Sequence, residues 1–313
     1  MHSAGRLPFN SRMDFEFPVA FWAAVCAALV YAAAGRAAAW ARWRFPFARA
    51  WRPACAWLRL LALAAVLGLS WNAASGGGVA ADLCSGFFAA AFIALAVARL
   101  EVEAASRGCS CALPAVMESP QAWVPGPPYS ALRSRIESLG FSRALCVASV
   151  PGRPLSGAFR ASVFLSGDAK TALRAAFFLR PGGIETVLSL RTRVSLAGGG
   201  FAVFETGSMH FPLGLSAPPG WNVERLPMEC SPEALAARHA ERVAASGGEP
   251  VCCGPVSAAS ENSDLREWLA WNESAGLLER PGEIGERGIL TPDGKYGLWI
   301  EKIYLAYFGR APE

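Results

Sequence analysis

The sequence is poor in charged residues, and its first third has very few acids and no lysine. Charged residues make up 17% of the 313-residue chain and apolar residues 53%, whereas about a quarter of a soluble domain is usually charged. Residues 1–98 contain eight arginines and three acids, a net charge of +5, and the remainder carries −1. Phosphate binding needs a basic surface on the domain that binds, so this distribution argues against nucleic-acid binding after residue 98.

Several chemical signatures are also missing. The nine cysteines are an odd number and are scattered, unlike the disulfide framework of a short secreted chain, and this indicates reduced thiols. No nucleophile elbow, oxyanion-hole motif or HExxH sequence surrounds His210 or His239, and no GK[ST] follows the triple glycine at residues 198–200. We therefore predict no metal, no cofactor and no catalytic residue.

Long apolar runs occupy the first third instead. The charge-free runs are residues 17–35, 60–81 and 83–98. A run of about 20 apolar residues is long enough to cross the hydrocarbon core of a bilayer. The glycines of NAASGGG separate the second run from the third, because consecutive glycines favour a turn. The predicted spans are about 17–35, 57–74 and 79–98.

Two features of the predicted spans, the first span itself and the acid Asp82, can each be interpreted in two ways. A cleaved signal peptide competes with the first span, and Asp14, Glu16 and the later apolar runs argue against cleavage. Asp82 is an acid within the apolar region and so a functional candidate. Its place just after the glycine turn favours a position near the outer interface.

Arginine and aromatic residues between the first two spans set the predicted orientation. The stretch GRAAAWARWRFPFARAWRPA interleaves five arginines with five tryptophan or phenylalanine residues. Eight arginines flank one side of the predicted spans and two flank the other, which places the arginine-rich side in the cytoplasm. Base stacking by this stretch is the alternative. The residues predicted to lie at the membrane interface, against anionic headgroups, are Arg36, Arg42, Arg44, Arg49, Arg52, Trp40, Trp43 and Trp51.

The remaining sequence predicts a soluble domain. Strand-length runs rich in Val, Phe, Leu and Thr are RALCVASV, GAFRASVFLSG, TALRAAFFLRPGG, ETVLSLRTRVSLAGGG and FAVFETGSMHF. Their short connections favour an antiparallel meander. Predicted helices are YSALRSRIESLGF, a helix capped by Ser231, started by Pro232 and ended by Gly247, and one near residues 264–276. The aromatic tail KYGLWIEKIYLAYFGR has helical spacing but is too short to span.

The predicted fold is thus a three-span α-helical membrane anchor plus an α+β cytoplasmic domain with an antiparallel β-meander and flanking helices. Five prolines between residues 114 and 128 indicate a semi-rigid linker. The predicted parts are an amino-terminal tail (1–16), the three-span membrane domain (17–98), a juxtamembrane helix with the proline-rich linker (99–128) and the α+β domain (129–313).

Three motifs carry a resemblance to a known group of proteins. The helix ending LGF, the strand ending ETGS and the capped helix SPEALAARH resemble uncharacterised bacterial membrane-anchored proteins, over about residues 129–245. The resemblance is consistent with a multi-pass protein of the bacterial inner membrane. It brings no catalytic residues with it.

Polar residues at the end of one strand form the candidate ligand site. His210 follows Glu205 and Ser208 there. His239 lies at helical spacing from Leu235 and Val243, which predicts a core histidine with satisfied hydrogen bonds.

The paired cysteines are interpreted as incidental thiols. Cys109 and Cys111, and Cys252 and Cys253, are too closely spaced for a structural zinc site, which uses two to four residues between paired cysteines. Acylation of the juxtamembrane pair is an alternative. The segment GLLERPGEIGERGILTPDGKYGLW has a winged-helix pattern, but residues 263–313 carry a net charge of −3, whereas a DNA-reading wing should be basic.

We therefore expect a non-enzymatic, membrane-tethered module that binds a protein partner or small ligand at the cytoplasmic face. The expected partners are the lipid bilayer with its anionic headgroups and a protein partner in the membrane, with no nucleic acid. The alternative is a membrane-anchored hydrolase or thiol-dependent redox enzyme that uses Cys146 or His210. Conduction or transport is disfavoured, because three spans with one interfacial acid leave little to line a path.

Overall fold

The computed structural model describes residues 13–44, 51–106, 115–120, 123–149, 159–180, 183–208, 215–226, 229, 231–279 and 289–309. The helices are Met13–Arg44 (α1), Trp51–Ser75 (α2), Val79–Ser106 (α3), Pro127–Ser138 (α4), Pro232–Ala245 (α5), Ala258–Ser274 (α6) and Pro292–Phe308 (α7). The strands are Val116–Glu118 (β1), Phe141–Ser149 (β2), Phe159–Ser166 (β3), Thr171–Arg180 (β4), Gly183–Ser195 (β5), Phe201–Gly207 (β6), Trp221–Arg225 (β7) and Glu249–Val251 (β8).

The chain divides into two compact units. The first contains the chain up to Ala38 together with Ala54–Val97, and the second contains Ala39–Pro53 and everything from Ala98 onward. The first unit is helical, and the second contains the sheet, so the protein combines apolar helices with a mixed-sheet α+β domain.

Among the described residues, α2 and α3 are the helices long and apolar enough to cross a membrane. Their large apolar side chains are exposed, as in Trp71 at 62%, Phe88 at 73% and Phe92 at 72%. The apolar part of α1 with described side chains, Trp22–Ala37, is shorter than a span. The helices that match the second and third predicted spans thus have the length for a crossing, and the first span stays a prediction.

Small residues bring α2 and α3 into close backbone contact. A Cβ added at Gly86 would lie 2.5 Å from the Ala64 carbonyl oxygen and 2.7 Å from the Gly68 Cα, and Ala90 is fully buried. The pairs Ala64/Gly68 and Gly86/Ala90 each have four-residue spacing, the small-xxx-small pattern that allows membrane helices to approach closely. The break at residues 76–78 therefore joins two packed helices.

Asp82 stabilises the turn of this hairpin through hydrogen bonds. Its Oδ2 accepts hydrogen bonds from Asn72 Nδ2 at 2.8 Å and from the Ser75 hydroxyl at 3.3 Å. The Asn72 amide also donates to the Gly77 carbonyl at 2.9 Å. The carboxylate is 7% exposed and joins the end of α2 to the start of α3.

The arginine-rich stretch after the first apolar run is helical over most of its length. α1 continues to Arg44, and α2 already begins at Trp51. Most of the predicted loop between the first two spans is therefore helical, and its residues 45–50 lie outside the described residues. Alanine-rich sequence with high helix propensity accounts for the continuation.

The sheet follows chain order with one parallel pairing. Its order is β1-β2-β3-β4-β5-β6-β7, with β8 pairing β5. Neighbours from β1 to β6 pair antiparallel, as β8 does with β5, whereas β6 and β7 are parallel. The sheet is therefore mixed, which differs from the predicted antiparallel meander. The connection from Gly207 to Trp221 supplies the dozen or so residues that a parallel crossover needs.

The five predicted strand runs correspond to β2 to β6, but β1, β7 and β8 were not predicted. β1 lies inside the stretch predicted as a linker, where three residues suffice to pair with β2. The Asn262 side chain satisfies its outer edge: Oδ1 accepts from the Val116 amide at 2.9 Å, and Nδ2 donates to the Val116 carbonyl at 2.8 Å.

Three apolar clusters form the core of the second unit. One face of the sheet packs against α4 and α5 through a cluster that includes Phe164, Phe177 and Leu235. The other face carries Val147, Val163 and Val187, with Val256 and Ala258 packed against them. The third cluster joins residues of α3, α6 and α7 with residues of the segments between elements: Val102, Leu265, Leu269 and Leu298 from the helices, and Leu215, Leu278 and Leu290 from those segments.

Candidate functional site

The predicted ligand residues have different roles in the fold. Glu205 lies on β6 and accepts hydrogen bonds from Arg191. Ser208 is fully buried, and its Oγ accepts from the Leu188 amide at 2.8 Å, so it continues the pairing of β5 beyond the end of β6. His210 lies outside the described residues. The two described side chains thus have separate partners.

Glu205 belongs to an ion network between the sheet and α6. Arg191 on β5 donates from Nε to Glu205 Oε2 at 3.1 Å and from Nη2 to the same oxygen at 2.9 Å. Its Nη1 donates to Asp264 of α6. A parallel contact joins Arg174 to Glu261 at 3.2 Å. One helix therefore supplies carboxylates to two arginines of neighbouring strands.

Trp221 of β7 also contacts this network. The Arg191 guanidinium lies 4.6 Å from the ring centroid of Trp221, and the indole Nε1 donates to Glu267 at 3.0 Å. The Trp221 ring also meets Trp268 edge to face, with 5.6 Å between centroids. The Trp221 ring covers the Arg191 guanidinium and limits its access to water.

The charged groups of this network change each other's pKa values. Burial lowers the pKa of the Arg191 guanidinium, but the surrounding carboxylates raise it more, so its pKa lies above the usual value. Burial raises the pKa of the Asp264 carboxyl, and Arg191 only partly opposes that rise. Arg191 therefore stays charged and holds Asp264 of α6 against the sheet.

A second polar network lies on the opposite face of the sheet, under α5. His239 is 3% exposed, and its Nε2 lies 2.8 Å from Thr192 Oγ1 while its Nδ1 lies 3.0 Å from Thr206 Oγ1. Thr192 in turn contacts Thr171 Oγ1 at 2.8 Å. Both imidazole nitrogens have partners, as predicted for a core histidine.

Arg242 extends this network from α5 to β6 and β7. Its Nη1 donates to the Glu205 carbonyl at 2.7 Å and to Thr206 Oγ1 at 2.6 Å, and its Nη2 donates to the Asn222 carbonyl at 2.9 Å. Since Thr206 accepts from Arg242, its own proton is free for His239 Nδ1, which favours the tautomer protonated at Nε2. Burial, and secondly the charge of Arg242, lowers the pKa of His239 to about 4. The imidazole is neutral at pH 7.

The described cysteines are free thiols. Cys146 Sγ lies 3.4 Å from the Ser162 hydroxyl, its neighbour across β2 and β3. Cys252 is exposed, and burial raises the pKa of the Cys253 thiol, which disfavours the thiolate. Cys109 and Cys111 lie outside the described residues.

The predicted membrane-interface residues are spread over α1 and the start of α2. Arg36 is exposed, Trp51 is half-buried and Arg52 pairs with Glu185 at 3.5 Å. Arg42, Arg44, Trp40 and Trp43 lie in the last turns of α1, where the side chains are outside the described set, and Arg49 lies wholly outside it.

Across the part of the chain that the structure describes, no group of three or more His, Cys, Asp or Glu side chains is placed to hold a metal ion. Comparison with protein-family models, curated proteins and solved structures found no match to this chain. The functional argument therefore rests on the residues themselves. Sequence reasoning missed Arg191, Asp264 and Arg242. For the two arginines the signal was a charged residue within an apolar strand, and one three residues after the predicted core histidine on the same helix.

Proposed function

We propose that the protein is a three-span protein of the bacterial inner membrane with a cytoplasmic α+β domain. That domain binds a protein partner or a small ligand and catalyses no reaction. The membrane part of this proposal is supported by the exposed apolar side chains of α2 and α3, because such surfaces require a lipid environment. The arginine distribution supports the orientation.

The non-enzymatic part of the proposal is supported by one observation, that Arg191 and His239 are each held by partners within the protein. Arg191 is engaged by Glu205 and Asp264, and His239 is held by two threonine hydroxyls. A general base needs a lone pair directed at a substrate and a pKa near the working pH. Neutral His239 has neither, because both nitrogens have protein partners and its pKa is about 4.

A test of this proposal uses the full-length protein in mild detergent. Copurifying proteins are identified by mass spectrometry, and in parallel a metabolite library is screened for compounds that raise the Tm. We expect a stoichiometric partner or a stabilising ligand, without turnover of the ligand.

Matched cysteine variants distinguish the binding proposal from the alternative of a thiol-dependent enzyme. If a turnover is measured that Cys146→Ser abolishes and Cys252→Ser leaves intact, the binding proposal is wrong. The protein is then a thiol-dependent enzyme.

A further inference from the structure

One arginine at the end of the sheet has few hydrogen-bond partners. Arg225 has five N–H groups. Among the residues that the structure describes, its one acceptor is the Leu215 carbonyl, 3.4 Å from Nη2, and its buried Nε has none. The carboxylate paired with it, Glu301 Oε1, lies 3.8 Å from Nη1. That distance allows charge attraction but is too long for a hydrogen bond.

Arg191 and Arg242 show how a guanidinium of this domain is usually satisfied. Arg191 donates from Nε and Nη2 at 3.1 and 2.9 Å, and Arg242 donates from both Nη atoms at 2.6–2.9 Å. Around Arg191 the carboxylates raise the pKa more than burial lowers it. Burial lowers the pKa of Arg225, and the charges of Glu301 and Glu205 only partly oppose that fall. The described surroundings of Arg225 thus supply too few acceptors and too little negative charge.

The position of Arg225 leaves part of its side chain accessible. It is the last residue of β7 and pairs with Gly207, the last residue of β6. Paired residues of neighbouring strands point to the same face of a sheet, so β6 places no side chain beside the arginine there. The guanidinium carbon lies 6.0 Å from the ring centroid of Trp268 on α6. The Arg225 side chain is 17% exposed, so a small molecule can reach it.

We propose that Arg225 binds the carboxylate of a small organic acid, with Trp268 next to the apolar part of that ligand. The inference rests on the proposed function, because it names the class of the small ligand. Guanidinium and carboxylate groups are both planar, and two N–H groups can donate in parallel to the two oxygens. A carboxylate therefore supplies both the acceptors and the negative charge that Arg225 needs.

The charges near Arg225 favour a carboxylate over a phosphate. Arg225 is a single cation, and Glu301 and Glu205 both act on it. A phosphate group carries about −1.5 to −2 at pH 7 and would be repelled by these two acids more strongly than a carboxylate, which carries one negative charge. An uncharged amide offers an acceptor oxygen but does not compensate the buried positive charge.

The test compares organic acids with their uncharged amides, using the full-length protein in mild detergent. The probes are benzoate and phenylacetate, each with its primary amide, and inorganic phosphate at the same ionic strength. The apparent Kd follows from the rise of Tm with probe concentration. We expect an acid to bind at least about tenfold more tightly than its amide, as for one hydrogen bond between charged groups. Phosphate should bind more weakly than that acid.

Variants assign the effect to the arginine. Arg225→Gln should remove the difference between acid and amide, because glutamine keeps a donor but no charge. Arg225→Lys retains the charge beside Glu301, so it serves if the glutamine variant does not fold. It should also weaken acid binding, because an ammonium group lacks the planar fork of N–H donors. The control Arg133→Gln makes the same change in an exposed pair with Glu137 on α4, and acid binding should be unchanged.

Equal binding of acid and amide, acid binding that persists in both Arg225 variants, or tighter binding of phosphate would overturn the inference. The proposed function would then stand, because a ligand still binds. Absence of stabilisation by every probe would also overturn the inference. The proposed function would in that case be decided by its own partner and metabolite screens, and a turnover that Cys146→Ser abolishes would reject it.

Discussion

His239 shows how one buried side chain makes stability depend on pH. Its pKa of about 4 in the fold lies below the value of 6.5 for a free imidazole, so the unfolded chain binds more protons between these limits. The free energy of unfolding therefore has its full value above about pH 6.5 and decreases as the pH falls through about 4. The contribution lost is about 3 kcal/mol.

A His239→Gln variant isolates this effect, because the amide can replace the hydrogen bonds of the neutral imidazole but does not titrate. We expect its free energy of unfolding, from urea titrations followed by circular dichroism, to vary less between pH 6.5 and 4 than that of the parent. Equal pH dependence of the two proteins would show that His239 is not buried in its neutral form.

Arg191 provides the second prediction at the residue scale. Arg191→Met leaves Glu205 and Asp264 without their shared cation, and we expect a destabilisation of about 2 kcal/mol in the same urea titrations. The control is Arg133→Met, which removes an exposed pair with Glu137 on α4. That change should cost less than about 0.5 kcal/mol. Equal costs for the two variants would contradict a structural role for the network.

At the scale of elements, the α2–α3 hairpin depends on the absence of a side chain at Gly86. A methyl group there would lie 2.5 Å from the Ala64 carbonyl oxygen, so the helices must separate. We expect Gly86→Ala to destabilise the hairpin by about 1–3 kcal/mol. The readout is the fraction of dodecyl sulfate in mixed micelles at which the helices unfold.

Gly35 is the matched control for this prediction, because it lies in the interior of α1 with no atom within 4 Å of an added Cβ. Gly35→Ala should be neutral or stabilise by up to about 1 kcal/mol, the difference in helix propensity. If Gly86→Ala behaves in the same way, the close packing of α2 on α3 is wrong.

The capped helices α5 and α6 show how accurately the sequence predicted where a helix begins. Ser231 caps α5 through the Ala234 amide at 3.4 Å, with Pro232 in the first turn, as predicted. α6 begins at Ala258, earlier than predicted, because Ser257 and Ser260 form a reciprocal capping box. Local hydrogen bonds determine where both α5 and α6 begin. In the sequence, a pair of serines indicates a helix start less specifically than serine followed by proline.

For the whole molecule, the proposed topology predicts the side of each segment. A reporter active only in the periplasm should be inactive when fused after Glu313 and active when inserted at Gly77, between α2 and α3. The arginine distribution is the reason for this expectation. Activity of the fusion after Glu313 would reject the three-span arrangement, and inactivity at Gly77 would reject the hairpin.

Local sequence determined the positions of β2 to β6, the break at residues 76–78 and the burial of His239. Alternation, glycine turns and helical spacing act over a few residues, so they can be read without the fold. Such patterns do not specify partners far apart in sequence. The sequence also places Glu205 at a strand end, but it does not show that Arg191 neutralises it and pairs with Asp264 as well.

Only the tertiary structure decided the contacts between distant segments. The parallel pairing of β7 depends on a crossover whose path no local pattern encodes, and Arg242 of α5 bonds to β6 and β7, which meet only after the sheet forms. Lys302 and Glu101 are 201 residues apart. Pairing at that separation is set by how the sheet and helices pack, because a charged side chain has many equivalent partners until packing leaves one within reach.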